Sequence, residues 1–235
     1  MMGQNEISCV IVQMRSGSSR LPEKMNKKLC GWTVSEWVAE GVETSSANKI
    51  IYALPHSDRN TQLHLILKDR TKNDRISIFF GDENNVFDRF RSALIDLKTK
   101  EKLRPISLIR VCGDRPLVQP ENINMLINQN YDGLSFNHQN SEKSYLGYGA
   151  ERLSSKLTHE LFFGSLLTSA NKEHVTKGVY KIKSINKKCI WDQEIYSVVK
   201  KLNLKKLDLD TYKDYHRLED VITKYSLSPS RRLPS

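Results

Sequence analysis

The 235-residue sequence is short of the features that would settle its chemistry at once. Its four cysteines, Cys9, Cys30, Cys112 and Cys189, form no pair with metal-ligand or Cys-x-x-Cys spacing. Free, buried thiols in a reducing compartment are therefore expected. No apolar run approaches the roughly 20 residues of a membrane span, and no apolar stretch follows a basic start, so a cytoplasmic protein without membrane association is expected. The Gly-x-x-x-x-Gly-Lys-Ser/Thr spacing of a Walker A loop is missing. There is no internal repeat and no linker composition that would split the chain. The lysine-rich stretches 182–188 and 200–206 lack interleaved aromatics, which argues against nucleic acid as a partner.

What is present is basic. Lys plus Arg number 37 against 27 Asp plus Glu, a formal net charge of +10. Such a balance favours anionic partners, although "KIKSINKK" and "VVKKLNLKK" read as solvated helix faces. With 38% hydrophobic residues, a chain of this length can bury about 70–75% of its unfolded surface.

Apolar runs at 7–12, 49–53, 75–80, 106–112 and 131–136 read as strands. Amphipathic patterns at 33–44, 58–69 and 86–99 read as helices, and Pro120 opens another. Strands alternating with helices predict an α/β fold with a mostly parallel sheet. The segment 137–150 is polar and turn-rich. "KKLDLDTYKDYHRLEDVITKY" reads as a strand, a turn and a final helix, and the Pro- and Ser-rich tail 227–235 as mobile. A single domain over 1–226 is expected.

Three polar clusters follow strands: 15–28, 81–88 and 113–116. In parallel sheets ligands sit at the carboxyl ends of strands, so the three are expected to share one site. In "RSGSSRLPEKMNKK", Gly17, Ser18 and Ser19 offer backbone N–H groups to an anion, and Arg15, Arg20, Lys24 and Lys27 offer positive charge.

"RSGSSRLPEK" closely resembles the Arg-x-Gly-Ser-x-Arg-Leu-Pro-x-Lys signature of the bacterial cytidylyltransferases that activate acidic sugars, Kdo and the sialic-acid-like nonulosonates among them. Four further segments resemble the family's SpsF-like branch in the right order: "GDENNVFDRF", "RVCGDRPLVQPENI", "KEHVT" and "LDLDTYKDY". Glu23 stands where the branch usually has glycine, and Asn85 where it has aspartate. Glu23 is free to pair with Lys27.

The resemblance implies a three-layer, Rossmann-like nucleotide-diphospho-sugar transferase fold and transfer of CMP from CTP, with Mg2+, to an acidic sugar. Arg15, Arg20, Lys24 and Asp114 would be catalytic. Gly17, Ser18 and Lys27 would join the nucleotide contacts. Asn85 and Arg89 would lie near the cytosine and ribose, unless Arg89 salt-bridges on its own helix. Asp114 and Asp210 would hold the metal; a turn or cap role is the alternative for Asp114, and a helix start for Asp210. On a strand, Asp208 would face the same side as Asp210. Tyr148, Glu151 and His174 would shape the acceptor site, with 137–190 as acceptor lid and part of a homodimer contact; His174 also suits a structural place. A phosphonate or alditol phosphate acceptor, or nucleotide binding without turnover, remain the alternatives.

Overall fold

The structure, a computed structural model, describes residues 6–102, 104–137, 149–164, 166, 175–190, 197 and 206–230. Its centre is β1 (Ile7–Gln13), whose first six residues are all buried. β1 pairs in parallel with β4 (Lys49–Pro55) on one side and β6 (Ile106–Cys112) on the other. β5 (Ile76–Gly81) extends the sheet in parallel beyond β4. Continuous apolar sequence suits such strands, because helices cover both faces.

The full order is β5-β4-β1-β6-β8-β7-β9, with β7 (Leu134–Phe136), β8 (Glu151–Leu153) and β9 (Lys187–Cys189). Among the described strands of this sheet only β8 runs antiparallel to its neighbours; β2 (Lys28–Leu29) and β3 (Trp32–Thr33) form a separate antiparallel pair. Alternate residues of β1 feed two cores. Val10 and Val12 pack with α1 (Val34–Glu43), α2 (Thr61–Lys68), α4 (Pro120–Ile127) and α7 (Tyr212–Lys224). Cys9 and Ile11 pack with α3 (Val86–Lys100), α5 (Ser155–Phe162) and α6 (Lys177–Lys181). The result is three layers with a mostly parallel sheet. From β1 the chain moves out to β4 and β5, then returns to β6 on β1's other side. That reversal opens a crevice at the carboxyl ends of β1 and β6.

Several expectations change. β8 and β9 went unseen in the sequence; both lie within 137–190, so the described part of that stretch includes strands of the main sheet. "KIKSINKK" is not a helix face: it runs from the end of α6 into β9, the edge strand, where Lys187 Nζ donates to the carbonyls of Ile182 and Ile185. Lysines at an edge discourage further pairing. Among the described residues of the strand expected before α7, only Lys206 makes a bridge, yet the alternation survives, with Leu207 and Leu209 buried in the core. Leu227, placed in the mobile tail by its composition, is buried in the same core. Among the described residues, no helix is long and apolar enough to cross a membrane.

Candidate active site

The chain leaves β1 at Gln13 and builds a loop pinned from within. Leu21 and Met25, four residues apart, are buried in the core. Arg20 and Lys24, each one residue earlier, line the neighbouring cavity instead, Arg20 exposed and Lys24 largely covered. The loop's start is fastened by Asn60: its Oδ1 accepts from the Ser16 N–H (2.9 Å) and its Nδ2 donates to the Pro55 carbonyl (3.1 Å). At Gly17 nothing lies within 4 Å of where a Cβ would point, so the backbone stands open.

Two cavities flank this loop and share Arg15, Gly17, Ser18 and Ser19. One, of about 440 Å³, is completed by Gln13, Arg110, Cys112, Asp114 and Asp210. The other, of about 500 Å³, is completed on the β4 and β5 side by Ser57, Arg59, Asn60, Glu83 and Asn84. All of these line the carboxyl edge of the sheet.

The two aspartates reach the first cavity from different directions. Gly113 follows β6 and packs under the loop, its N–H donating to the Gln13 carbonyl (2.8 Å). Asp114 comes next, and its carbonyl accepts from the Leu209 N–H (2.7 Å), which docks the segment carrying Asp210. Lys24 Nζ lies 3.5 Å from Asp114 Oδ2, 3.5 Å from Asp210 Oδ1 and 3.1 Å from the Leu209 carbonyl. Arg20 Nη2 lies 3.3 Å from Asp210 Oδ1. Asp208 is set back. Burial raises its carboxyl pKa, Lys206 opposes that, and the Asp114 and Asp210 charges add to the rise.

Arg89 lies behind this wall. It is fully buried, and its Nη1 donates to the Asp82 carbonyl (2.9 Å), while Nε and Nη2 have no hydrogen-bond partner among the described residues. Burial, and then the nearby Arg15 charge, push its pKa down to about 10. It is not salt-bridged along its helix.

Three of the expected site residues make contacts outside the two cavities in this structure. Lys27 points away, its Nζ 5.2 Å from the centroid of the Tyr212 ring. Asn85 caps α3: its Oδ1 accepts from the Asp88 N–H and its Nδ2 donates to the Asp88 carboxylate. It lines neither cavity. Glu151 is buried on β8 and accepts from Arg110 Nη1 (2.8 Å), Thr176 Oγ1 (2.7 Å) and the Tyr180 hydroxyl (3.0 Å). Arg110, its cross-strand partner, is the member of the pair that faces the cavity. Burial alone would lower the Arg110 pKa; the Cys112 and Glu151 groups beside it, Glu151 through a hydrogen bond as well, carry it above the ordinary arginine value. Glu23 pairs with Asn26 Nδ2 (2.7 Å) rather than with Lys27. Tyr148 and His174 lie outside the described residues.

Sequence reasoning missed Gln13, Arg110 and the Ser57–Asn60 group. An arginine inside the apolar run "ISLIRVC" was a legible sign, as was a fourth polar cluster following β4.

A family model described as Cytidylyltransferase matches residues 9–221. The chain belongs to the cytidylyltransferase family. The cytidylyltransferase is 28% identical, over 174 residues, to the spore coat polysaccharide biosynthesis protein SpsF of Bacillus subtilis (strain 168), covering 71% of this chain and 67% of that one. Its fold is similar to that of a cytidylyltransferase from Leptospira borgpetersenii, with a TM-score of 0.72 and 18% identity over 95% of this chain and 89% of that one. It is also similar to a CMP:2-keto-3-deoxy-manno-octonic acid synthetase solved with CTP, with a TM-score of 0.61 and 11% identity over 93% and 99% of the two chains.

Proposed function

We propose that this cytidylyltransferase transfers CMP from CTP to an acidic sugar of the nonulosonate or Kdo type, releasing pyrophosphate, in the synthesis of a cell-surface polysaccharide. The acceptor's anomeric hydroxyl oxygen attacks the α-phosphorus; the new O–P bond forms as the bond to the β-phosphate oxygen breaks, and the hydroxyl proton is released. Little covalent work falls to the protein, so positioning and charge neutralisation carry the rate.

The observation that carries the reading is the convergence of Arg20 and Lys24 on Asp114 and Asp210. Nucleotidyl transfer needs cations for a triphosphate and carboxylates for a metal at one point. Among the described residues no group of three His, Cys, Asp or Glu is placed to hold a metal ion. Two carboxylates nevertheless suit Mg2+, which takes one or two and fills its remaining positions with water and substrate phosphate oxygens. Asp114 and Asp210 would hold it, and it would supply charge neutralisation at the phosphates. Arg15, Arg20 and Lys24, with the Gly17 and Ser18 backbone, hold and orient the triphosphate. The cavity lined by Ser57 and Asn84 takes the nucleoside end.

Arg110 lines the same cavity as Asp114, where it would meet an acceptor carboxylate. The name of SpsF, which places that protein in polysaccharide synthesis, and the acidic sugar named for the octonic acid synthetase support the acceptor class.

Pyrophosphate release from CTP and Mg2+ with Kdo, sialic, legionaminic and pseudaminic acids tests the reading. Release with at least one acid, and none without an acceptor, is expected. Tight CTP binding without release on any acid contradicts it.

A further inference from the structure

Lys24 occupies an unusual place for a residue meant to hold a phosphate. Its ammonium sits on both carboxylates of the metal pair and on the Leu209 carbonyl, with only 12% of the side chain exposed. The contact is built in. The Glu23 carbonyl accepts from the N–H groups of Asn26 and Lys27 (2.9 and 3.1 Å), closing the turn that carries Lys24, and Met25 anchors it in the core. The Leu209 N–H on the Asp114 carbonyl brings the opposite wall to meet it.

Two carboxylates at one point repel each other and need a cation between them. Here the chain supplies that cation itself, at the point where a divalent ion would have to bind. A lysine ammonium suits the role because it is a compact single charge on a flexible stem. It can be drawn off by a stronger anion, and a triphosphate arriving at Gly17, Ser18 and Arg15 offers one within the same cavity.

We propose that Lys24 is a stand-in for the metal. With its ammonium on Asp114 and Asp210, the pair binds a divalent cation weakly; the triphosphate of CTP draws Lys24 away and opens the pair. This rests on Asp114 and Asp210 being the metal ligands proposed above. Metal and nucleotide then strengthen each other's binding by the same factor, and the free protein does not collect metal ahead of its substrate.

The test is Mn2+ binding, followed by the EPR signal of the free ion, in the absence of nucleotide. Wild type, Lys24→Met, Lys24→Gln, Asp114→Asn and Lys24→Met/Asp114→Asn are compared after circular dichroism has shown each to be folded; Lys24→Gln keeps a donor for the Leu209 carbonyl. Either neutral substitution is expected to tighten Mn2+ binding by about tenfold or more, as loss of a competing ion pair of this exposure allows, and Asp114→Asn to cancel the gain. In wild type, CTP is expected to tighten Mn2+ binding. If neither Lys24 variant tightens it, while Asp114→Asn still weakens Mn2+ binding in the presence of CTP, the stand-in role is wrong and the metal pair stands. If Asp114→Asn leaves Mn2+ binding with CTP unchanged, the metal assignment fails and the stand-in falls with it.

Discussion

The Asp210 backbone N–H donates to the carboxylate of Asp214, 3.1 Å away, so the start of α7 holds the aspartate that faces the loop. Asp214 also accepts from the Thr211 N–H and hydroxyl and from Lys206, and its carboxylate is paired with the Arg217 guanidinium 2.8 Å away. Burial opposes its charge, but these donors outweigh burial and hold its pKa well below the usual carboxylate range. Asp214→Asn is expected to cost about 1–3 kcal/mol at pH 7, the scale of breaking a buried, charge-assisted set of bonds. A depressed pKa stabilises the fold above the unfolded-state value of about 3.9, and that contribution is lost as pH falls towards the folded value. Urea denaturation of wild type and variant should therefore show a gap that is constant above about pH 5 and narrows below about pH 4. A gap that does not change with pH would remove the Asp214 charge from the account.

Gly113 leaves no room for a side chain. A Cβ there would meet Met14 Cγ at 2.7 Å and the Gln13 carbonyl oxygen at 2.9 Å. Gly113→Ala must push the strand ends apart, and with them Asp114. A loss of about 1–3 kcal/mol is expected, as for overpacking elsewhere, together with a fall in turnover larger than the stability loss explains. Unchanged stability would mean the crevice floor is looser than described.

Glu23 has φ of +55°, the left-handed region. A glycine at this place would have a physical reason: a side chain there costs about 1–2 kcal/mol, against about 0.5–1 kcal/mol of extra chain entropy lost by glycine. Glu23→Gly is expected to leave stability unchanged or raise it by up to about 1 kcal/mol, and to tighten CTP binding severalfold by removing a carboxylate from the phosphate loop. Calorimetric titration with CTP checks the second part; weaker binding would assign the carboxylate a positive role.

Arg89 is a buried cation whose side chain, among the described residues, hydrogen-bonds only to a backbone carbonyl. Replacing such a charge with an apolar side chain is often neutral or stabilising. Arg89→Met is expected to keep the thermal midpoint within a few degrees while weakening CTP binding at least tenfold, because the charge behind Arg15 is lost. Full CTP affinity in a stable variant would make Arg89 a purely structural residue.

Much of the sheet was legible because its buried parallel strands are continuous apolar runs; β6 matches its expected bounds, and Pro120 marks the start of α4 as expected. The loop after β1 and its meeting with Asp114 followed from polar clusters at strand ends. β8 and β9 escaped notice because each has only three residues, Glu-Arg-Leu and Lys-Lys-Cys, too polar to read as strands without their partners. The buried pairing of Glu151 with Arg110 was hidden for the same cause: it depends on a cross-strand partner that no local spacing reveals. Lys27 and Asn85 show the limit of spacing within a loop, where one residue's shift decides between the cavity and a neighbouring helix.

The central claim is that the β1 loop, Asp114 and Asp210 surround one metal-bound CTP. A crystal structure of the protein with CTP and Mn2+, read at the manganese anomalous edge, tests it most directly. The account predicts one or more manganese peaks bonded to Asp114 and Asp210, with the triphosphate against Arg15, Arg20 and Gly17. A nucleotide bound elsewhere, or manganese that touches neither aspartate, would contradict it.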